Sequence, residues 1–310
     1  MNRRSSLAVV VALTVCAFAS APSRADTLTK VFINGEATPV FFNDGDSFRP
    51  QAGAYKGSQS RLSGYNTLES FGPVHSWGTW TEKEMWVLAK LATKHAQHGV
   101  WHCETDGKKD GYGRLLMNCK DLAKSHIENG FAMAMSVDEK PADAELIEAQ
   151  RTAINNKRGM WAHGTPSYVL SSLHSANEGG GKDGKTYNRL VSTTDGHSEK
   201  WLHDDDYAEC KKVCRDSKRV TDEAFPAVAV RVKAVEGAAE LSDLDVRRFV
   251  DEYLSFGSAT SAGTLRGPLD AALKAMDDEK VLLAASKPDS CHVYVDFRRR
   301  FGGDRAVCLR

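Results

Sequence analysis

Beyond its first 25 residues this chain has no apolar run long enough to cross a bilayer as a helix, so the remainder does not read as a helical membrane protein. It also lacks an excess of either charge: 41 Lys and Arg stand against 41 Asp and Glu in 310 residues. That balance excludes an electrostatic sponge for nucleic acid, because non-specific affinity needs many cationic contacts. The tightly paired cysteines of structural zinc sites are missing. No internal repeat is present, which excludes solenoids and propellers.

What is present begins with an export signal. Arg3 and Arg4 precede an apolar stretch from Leu7 to Ala19, and Ser23-Arg24-Ala25 offers a small-residue cleavage site before Asp26. The pattern predicts a secretory signal peptide over residues 1–25. Leu13-Thr14-Val15-Cys16 is a poor lipid-attachment site, because Val15 is bulky. The expected mature protein is exported, periplasmic or extracellular, monomeric, and without stable membrane association. Loss of the signal removes three arginines and no acids, leaving 38 basic against 41 acidic side chains.

Six cysteines remain: Cys103, Cys119, Cys210, Cys214, Cys291 and Cys308. An even number in an exported chain predicts disulfides. Cys103 and Cys119 flank one expected hairpin, and Cys291 and Cys308 another, so each pair is a candidate local staple. The pairing among the four downstream cysteines stays open, with metal binding by Cys210 and Cys214 as a weaker alternative.

Val31 to Phe42 reads as strand with a turn at Asn34-Gly35. Further strands are expected over Ser60–Tyr65, Val100–Glu104 and Leu115–Asn118. Helices are expected from Glu82 to about Gln97, capped by Thr79 or Thr81, from Leu122 to Asn129, and from Pro141 through Ile154. The Ser- and Gly-rich stretch 165–186 reads as a linker. Beyond it, helices are expected near Asp204–Asp216, Asp243–Phe256 and Pro268–Asp278, and strands over Ala227–Ala234, His292–Phe297 and Ala306–Leu309.

The chemistry concentrates in three short segments: Asp44-Gly45-Asp46-Ser47, Arg61 to Glu69, and Asp110-Gly111-Tyr112-Gly113-Arg114. A phosphodiester is anionic, so its hydrolysis needs cations on the non-bridging oxygens, a charge-stabilising ion and a positioned water. Arg61 and Arg114 suit the first task, since a guanidinium is always charged and grips two oxygens at once. Asp46 suits a hard, oxygen-ligated cation, and Glu69 a proton from water.

These segments, in this order of strands, helix, hairpin and two helices, resemble the staphylococcal nuclease (thermonuclease-like) family. The resemblance covers roughly residues 30–163 and includes Glu148-Ala149-Gln150-Arg151 through Gly159-Met160-Trp161. It implies an α+β fold: a five-stranded OB-type β-barrel with packed helices over 26–164, continued here by the linker and a second, smaller α+β domain over 187–310. It implies an exported, calcium-dependent nuclease acting on DNA or RNA. By resemblance Asp46 is a calcium ligand, Thr67 a ligand through its carbonyl, and Asp44 a supporting acid. Glu69 is the general base, Arg61 and Arg114 are the clamps, and Tyr112 lines the nucleotide pocket. Asn66 stands where the family usually has an aspartate, and Leu68 where it has a proline. Asn66 still offers a carbonyl oxygen to the ion but removes one negative charge, which lowers the expected calcium affinity or shifts the site towards another divalent cation. The alternative is a nuclease-like domain that binds nucleic acid or another partner but cleaves poorly.

Other clusters read more blandly. His95, His98 and His102 are expected at a helix end or surface. Trp77, Trp80 and Trp86 suit a core, and His203-Asp204-Asp205-Asp206 a helix start. Arg298-Arg299-Arg300 with Arg305 reads as a solvated basic loop, with phosphate contact as the alternative.

Overall fold

The computed structural model describes residues 30–71, 74–178 and 186–309. The signal peptide over 1–25 with Cys16, the residues Gly72-Pro73 and the glycine run Gly179–Gly181 lie outside them. The fold is α+β. Among the described residues no helix is long and apolar enough to cross a membrane.

The first half is built from short strands. β1 (Lys30–Ile33), β2 (Glu36–Thr38), β3 (Val40–Phe42), β4 (Phe48–Pro50), β5 (Ser60–Leu62), β6 (Tyr65–Thr67) and β7 (His75–Ser76) precede α1 (Glu82–Ala96). Then come β8 (Val100–Cys103), β9 (Leu115–Met117), α2 (Lys120–Glu128), β10 (Ala132–Ala134) and α3 (Ala144–Asn155). The expected turn at Asn34-Gly35 is present, with φ of 50° and 84°, the left-handed pair that a tight hairpin demands. β1 pairs with β2 and with β8, β3 with β4, β5 with β9, and β6 with β10.

These ladders are separate and open. The expected five-stranded barrel is therefore not a closed hydrogen-bonded sheet among the described residues. The strands are only three or four residues long, and β1 alone of them pairs on both sides, with β2 and β8. They nonetheless surround one core, in which Val31, Phe48, Leu62, Tyr65, Leu115 and Met117 pack on Leu122, Ile127 and Leu146 of the helices.

α1 forms where its pattern places it. Thr81 and Glu84 cap each other's backbone, Glu82 and Glu84 lie at the positive end, and Met85, Ala89, Ala92 and Ala96 are buried along one face. α3 starts later than Pro141, because the Asp143 carboxylate accepts from the Glu145 and Leu146 N–H groups and so sets the first turn.

The second half opens with β11 (Tyr168–Ser172), β12 (Thr186–Ser192) and β13 (Ser198–His203), an antiparallel meander. β14 (Lys212–Val220), α4 (Phe225–Lys233), α5 (Asp243–Phe256), α6 (Arg266–Asp278) and β15 (Ala284–Val293) complete it. The stretch 165–186 is thus not simply a linker, since it contains the buried strand β11. β15 pairs with β14 on one side and with β7 on the other, His292 opposite His75. One sheet therefore joins the two halves. Leu68, Val74, Trp77 and Met85 pack with Val169 and Val191 in a shared apolar cluster.

Four expected elements differ. Residues 204–216 are not a helix: β14 begins at Lys212, and its pairing with β15 places Cys214 opposite Cys291. Ala227–Ala234 is not a strand: α4 buries Val228, Ala229 and Val232 on one helical face, with Pro226 in the first turn. A Val/Ala run carries both signals, and tertiary packing chooses between them. The pair His292–Phe297 and Ala306–Leu309 is replaced by the end of β15 and two 3₁₀ turns, Phe297–Arg299 and Val307–Leu309.

All six expected cysteines are bridged: Cys103–Cys119, Cys210–Cys308 and Cys214–Cys291. The first is the expected staple. The local pair Cys291/Cys308 is not formed. Cys210 and Cys214 enter different bridges, which excludes a metal site made of the two.

The Thr193–His197 turn between β12 and β13 holds a buried cation. His197 Nδ1 lies 2.5 Å from Asp195 Oδ1, its Nε2 is 3.3 Å from Glu199 Oε1, and Tyr168 is 3.3 Å away. Burial pushes the imidazolium down, but the bonds to Asp195 and Glu199 prevail and raise it to about 9. The folded value lies above the ordinary one, so the stabilisation is full below about pH 6.5 and is lost as pH climbs through 9. Stability is expected to fall by on the order of 2 kcal/mol between pH 6.5 and 9.5. His197→Gln should flatten that slope in urea titrations; an unchanged slope would refute the assignment.

Candidate active site

The site starts from a turn. Asn43 N–H donates to Ser47 O at 2.9 Å and closes the Asn43–Ser47 loop between β3 and β4. The Asp44 carboxylate accepts from the Asp46 N–H at 3.1 Å and from Ser47 Oγ at 2.8 Å, which turns Asp46 inward. Gly45 is required by space: a Cβ there would lie 2.6 Å from Thr67 Cγ2 and 3.0 Å from Ala92 Cβ. The Tyr65 hydroxyl, buried in the core, donates to Gly45 O at 2.9 Å.

Asp46 then collects partners from two other strands. Its Oδ2 accepts from Arg61 Nη1 at 3.2 Å and from the Thr67 N–H at 3.1 Å, while Asp46 O accepts from the Leu62 N–H at 3.0 Å. Arg61, central in β5, also donates through Nη2 to Asn66 Oδ1 at 2.5 Å. Asn66 Nδ2 donates in turn to Thr67 O at 2.8 Å. Asp46, Arg61, Asn66 and Thr67 thus form one connected cluster. The carbonyl expected to ligate a cation already accepts one hydrogen bond, from the Asn66 amide, a contact that a carboxylate could not make, and has a second lone pair.

Glu69 lies just beyond β6. Its N–H donates at 3.3 Å to Nε2 of His75, whose burial holds it neutral, with its pKa lowered to about 4. Burial raises the Glu69 carboxyl, as does Asp46; Arg300, Arg61 and Arg114 pull it back. Asp44 is held well above the usual carboxylate range by burial, then by Asp46 and Glu69. Three acids from two segments therefore repel one another, an arrangement that a cation would relieve.

Among the described residues no three acidic, His or Cys side chains are already grouped closely enough to hold a metal. The donors nevertheless fit a hard cation in kind, being carboxylate and carbonyl oxygens with surplus negative charge.

Arg114 enters beside β5, because β9 pairs parallel to it with Ser60 opposite Leu115. Asp110 Oδ2 accepts from Nε of Arg114 at 2.7 Å, and Nη2 forms an ion pair with the same oxygen at 2.7 Å. The guanidinium keeps further N–H donors for a ligand, and the side chain remains 34% exposed. Asp110 Oδ1 also accepts from the Tyr112 and Arg114 N–H groups, fixing the loop. Tyr112 is 81% exposed, its ring centroid 5.5 Å from the Arg114 guanidinium carbon.

No protein-family model matches the chain, and no curated protein is significantly similar to it.

The other clusters disperse. His95 contacts Ser125, His98 the Lys94 carbonyl and His102 the Asp121 carboxylate. Trp77 and Trp80 both donate to Met160 O, as core tryptophans do. Sequence reasoning missed His75 and the proximity of Arg300. A run of arginines between two cysteines was the available signal for the latter, but nothing in the run says which acid it faces.

Gly45→Ala is expected to lower stability by about 1–3 kcal/mol, the usual overpacking cost, and to displace Asp46 from Arg61. Chemical denaturation measures the first effect, and a stability equal to the parent would refute the close approach as the reason for glycine.

Proposed function

We propose that this protein is an exported, metal-dependent nuclease that hydrolyses phosphodiester bonds of DNA, RNA or both, with calcium, or another divalent ion in view of Asn66, in its site. The observation that carries the reading is the gathering of Asp46, Arg61 and Glu69, with Arg114 at the start of the adjoining strand, from three separate segments of the sequence. On this reading the short ladders around one core form an OB-type barrel of the staphylococcal nuclease kind. The disulfides accord with export to the periplasm or the extracellular space, with nucleic acid as the partner of a monomer.

Arg61 and Arg114 would hold the non-bridging oxygens of the scissile phosphate. Arg61 is pre-aimed by Asp46 and Asn66, Arg114 by Asp110. Glu69 would take a proton from the attacking water as its oxygen bonds to phosphorus. The bond to the leaving oxygen breaks in line, and that oxygen takes up a proton from solvent. Asp46, supported by Asp44, and Thr67 O would hold the cation, which when bound neutralises charge developing on the phosphate. Glu69 acts only when ionised, so activity should rise with pH through its elevated range.

A second reading, a nuclease-like binding protein that turns over poorly, draws support from Asn66. The Asn66 side chain donates to the Thr67 carbonyl and helps to hold Arg61, and as a neutral amide it leaves less charge for an ion.

Purified mature chain is expected to cut single-stranded DNA with calcium and not with chelator. Glu69→Gln and Arg114→Ala should each slow cleavage by at least about a hundredfold. No cleavage with any divalent ion, or full activity in both variants, would overturn the enzyme reading. Oligonucleotide binding without product would favour the second.

Asn66→Asp removes the amide from Thr67 O and adds a charge. Calcium should then raise the melting temperature more than in the parent, since a ligand stabilises the state that it binds. An equal rise in the two proteins would place Asn66 outside the ion shell.

A further inference from the structure

The segment after β15 carries Arg298, Arg299, Arg300 and Arg305. Two anchors fix its shape. Arg299 grips both carboxylate oxygens of Glu209 at 2.8 and 3.3 Å, and the neighbouring Cys210 is bridged to Cys308. Ala306 N–H donates to Arg299 O at 2.9 Å, closing the loop. Arg299 is therefore a structural residue that fixes the start of the Arg300–Arg305 loop.

Arg300 and Phe301 are the first residues of that loop. Phe301 lies 5.5 Å, ring to ring, from Phe71, two residues beyond Glu69. Lys90 Nζ of α1 sits 4.0 Å over the same Phe71 ring. Arg300 donates Nε to Val295 O at 3.1 Å, and its guanidinium carbon is 5.7 Å from the Phe297 ring. Its attraction reaches Glu69, as do those of Arg61 and Arg114. Arg305 in turn acts on Lys90. Phe71, Phe301 and Phe297 are 41%, 43% and 65% exposed.

Exposed rings interleaved with cations are what a single strand needs: faces for bases and charges for the phosphates between them. A protein with no net excess of basic side chains must build such affinity locally.

Resting on the nuclease reading, we infer that the Arg300 loop is a second wall of the site. Arg300 holds a phosphate next to the one that is cut, and Phe71 with Phe301 stacks a flanking base. The substrate class is then a single-stranded polynucleotide, not a mono- or dinucleotide.

The test uses the mature chain carrying Glu69→Gln, with calcium, and fluorescein-labelled oligothymidylates, one a dinucleotide and one a decamer. Affinities are measured by anisotropy across a salt series. Arg300→Ala should lower the decamer's slope of log affinity against log salt by about 0.7, one single-strand phosphate contact, and leave the dinucleotide unchanged. Arg300→Lys should restore the slope. Phe301→Ala should weaken decamer binding by about tenfold. Melting curves check folding, and Arg300→Gln serves if the alanine variant does not fold. Equal slopes with and without the Arg300 charge, when the Glu69→Gln chain binds the decamer and the unsubstituted chain cleaves it, would overturn the second wall alone. An unsubstituted chain that neither binds the decamer nor cleaves it would overturn it together with the nuclease reading.

Discussion

The Asp46 carboxylate is shared between the Arg61 guanidinium and the Thr67 backbone N–H, and the rest of the site is referenced to it. A carboxylate 7% exposed beside a guanidinium 20% exposed is costly to leave unpaired. The three segments that bear these residues are thereby held to one arrangement. The tight contact at Gly45 belongs to the same constraint: without it the Asp44–Asp46 turn could not lie against Thr67. Arg61 is in consequence a positioned cation, with donors left for an anionic ligand.

A second constraint acts from the far end of the chain. β7 is only two residues long and pairs with β15, so His75 stacks on His292 at 4.1 Å. Burial keeps His75 neutral, and its ring nitrogen then accepts from the Glu69 N–H. The placement of Glu69 therefore depends on a sheet completed by β15, far downstream in the chain. The same junction brings the Phe301 loop onto Phe71. The second half of the molecule is part of the architecture around Glu69 and not an appendage to it.

Local signals were legible where local energetics decides. Thr79 or Thr81 marked the start of α1, and Thr81 is the cap. Ser242 as N-cap and Gly257 in the left-handed conformation bound α5 at its expected ends. Asn34-Gly35 made its turn. The Val/Ala run of α4 misled because its burial pattern satisfies a helix as well as a strand. The segment before β14 misled because the spacing of Cys210 and Cys214 suits a helical face, whereas the pairing of Cys214 with Cys291 across a ladder is invisible without the ladder.

The sequence by itself determined the residue types of the site, their order and the even set of cysteines, because these are properties of composition and spacing. Tertiary structure alone decided that the Thr67 N–H reaches the Asp46 carboxylate, that Cys210 reaches Cys308 and that Arg300 lies within electrostatic reach of Glu69. Each of these joins atoms whose separation is set by strand pairing and side-chain packing, and no local pattern in the chain encodes a distance of that kind.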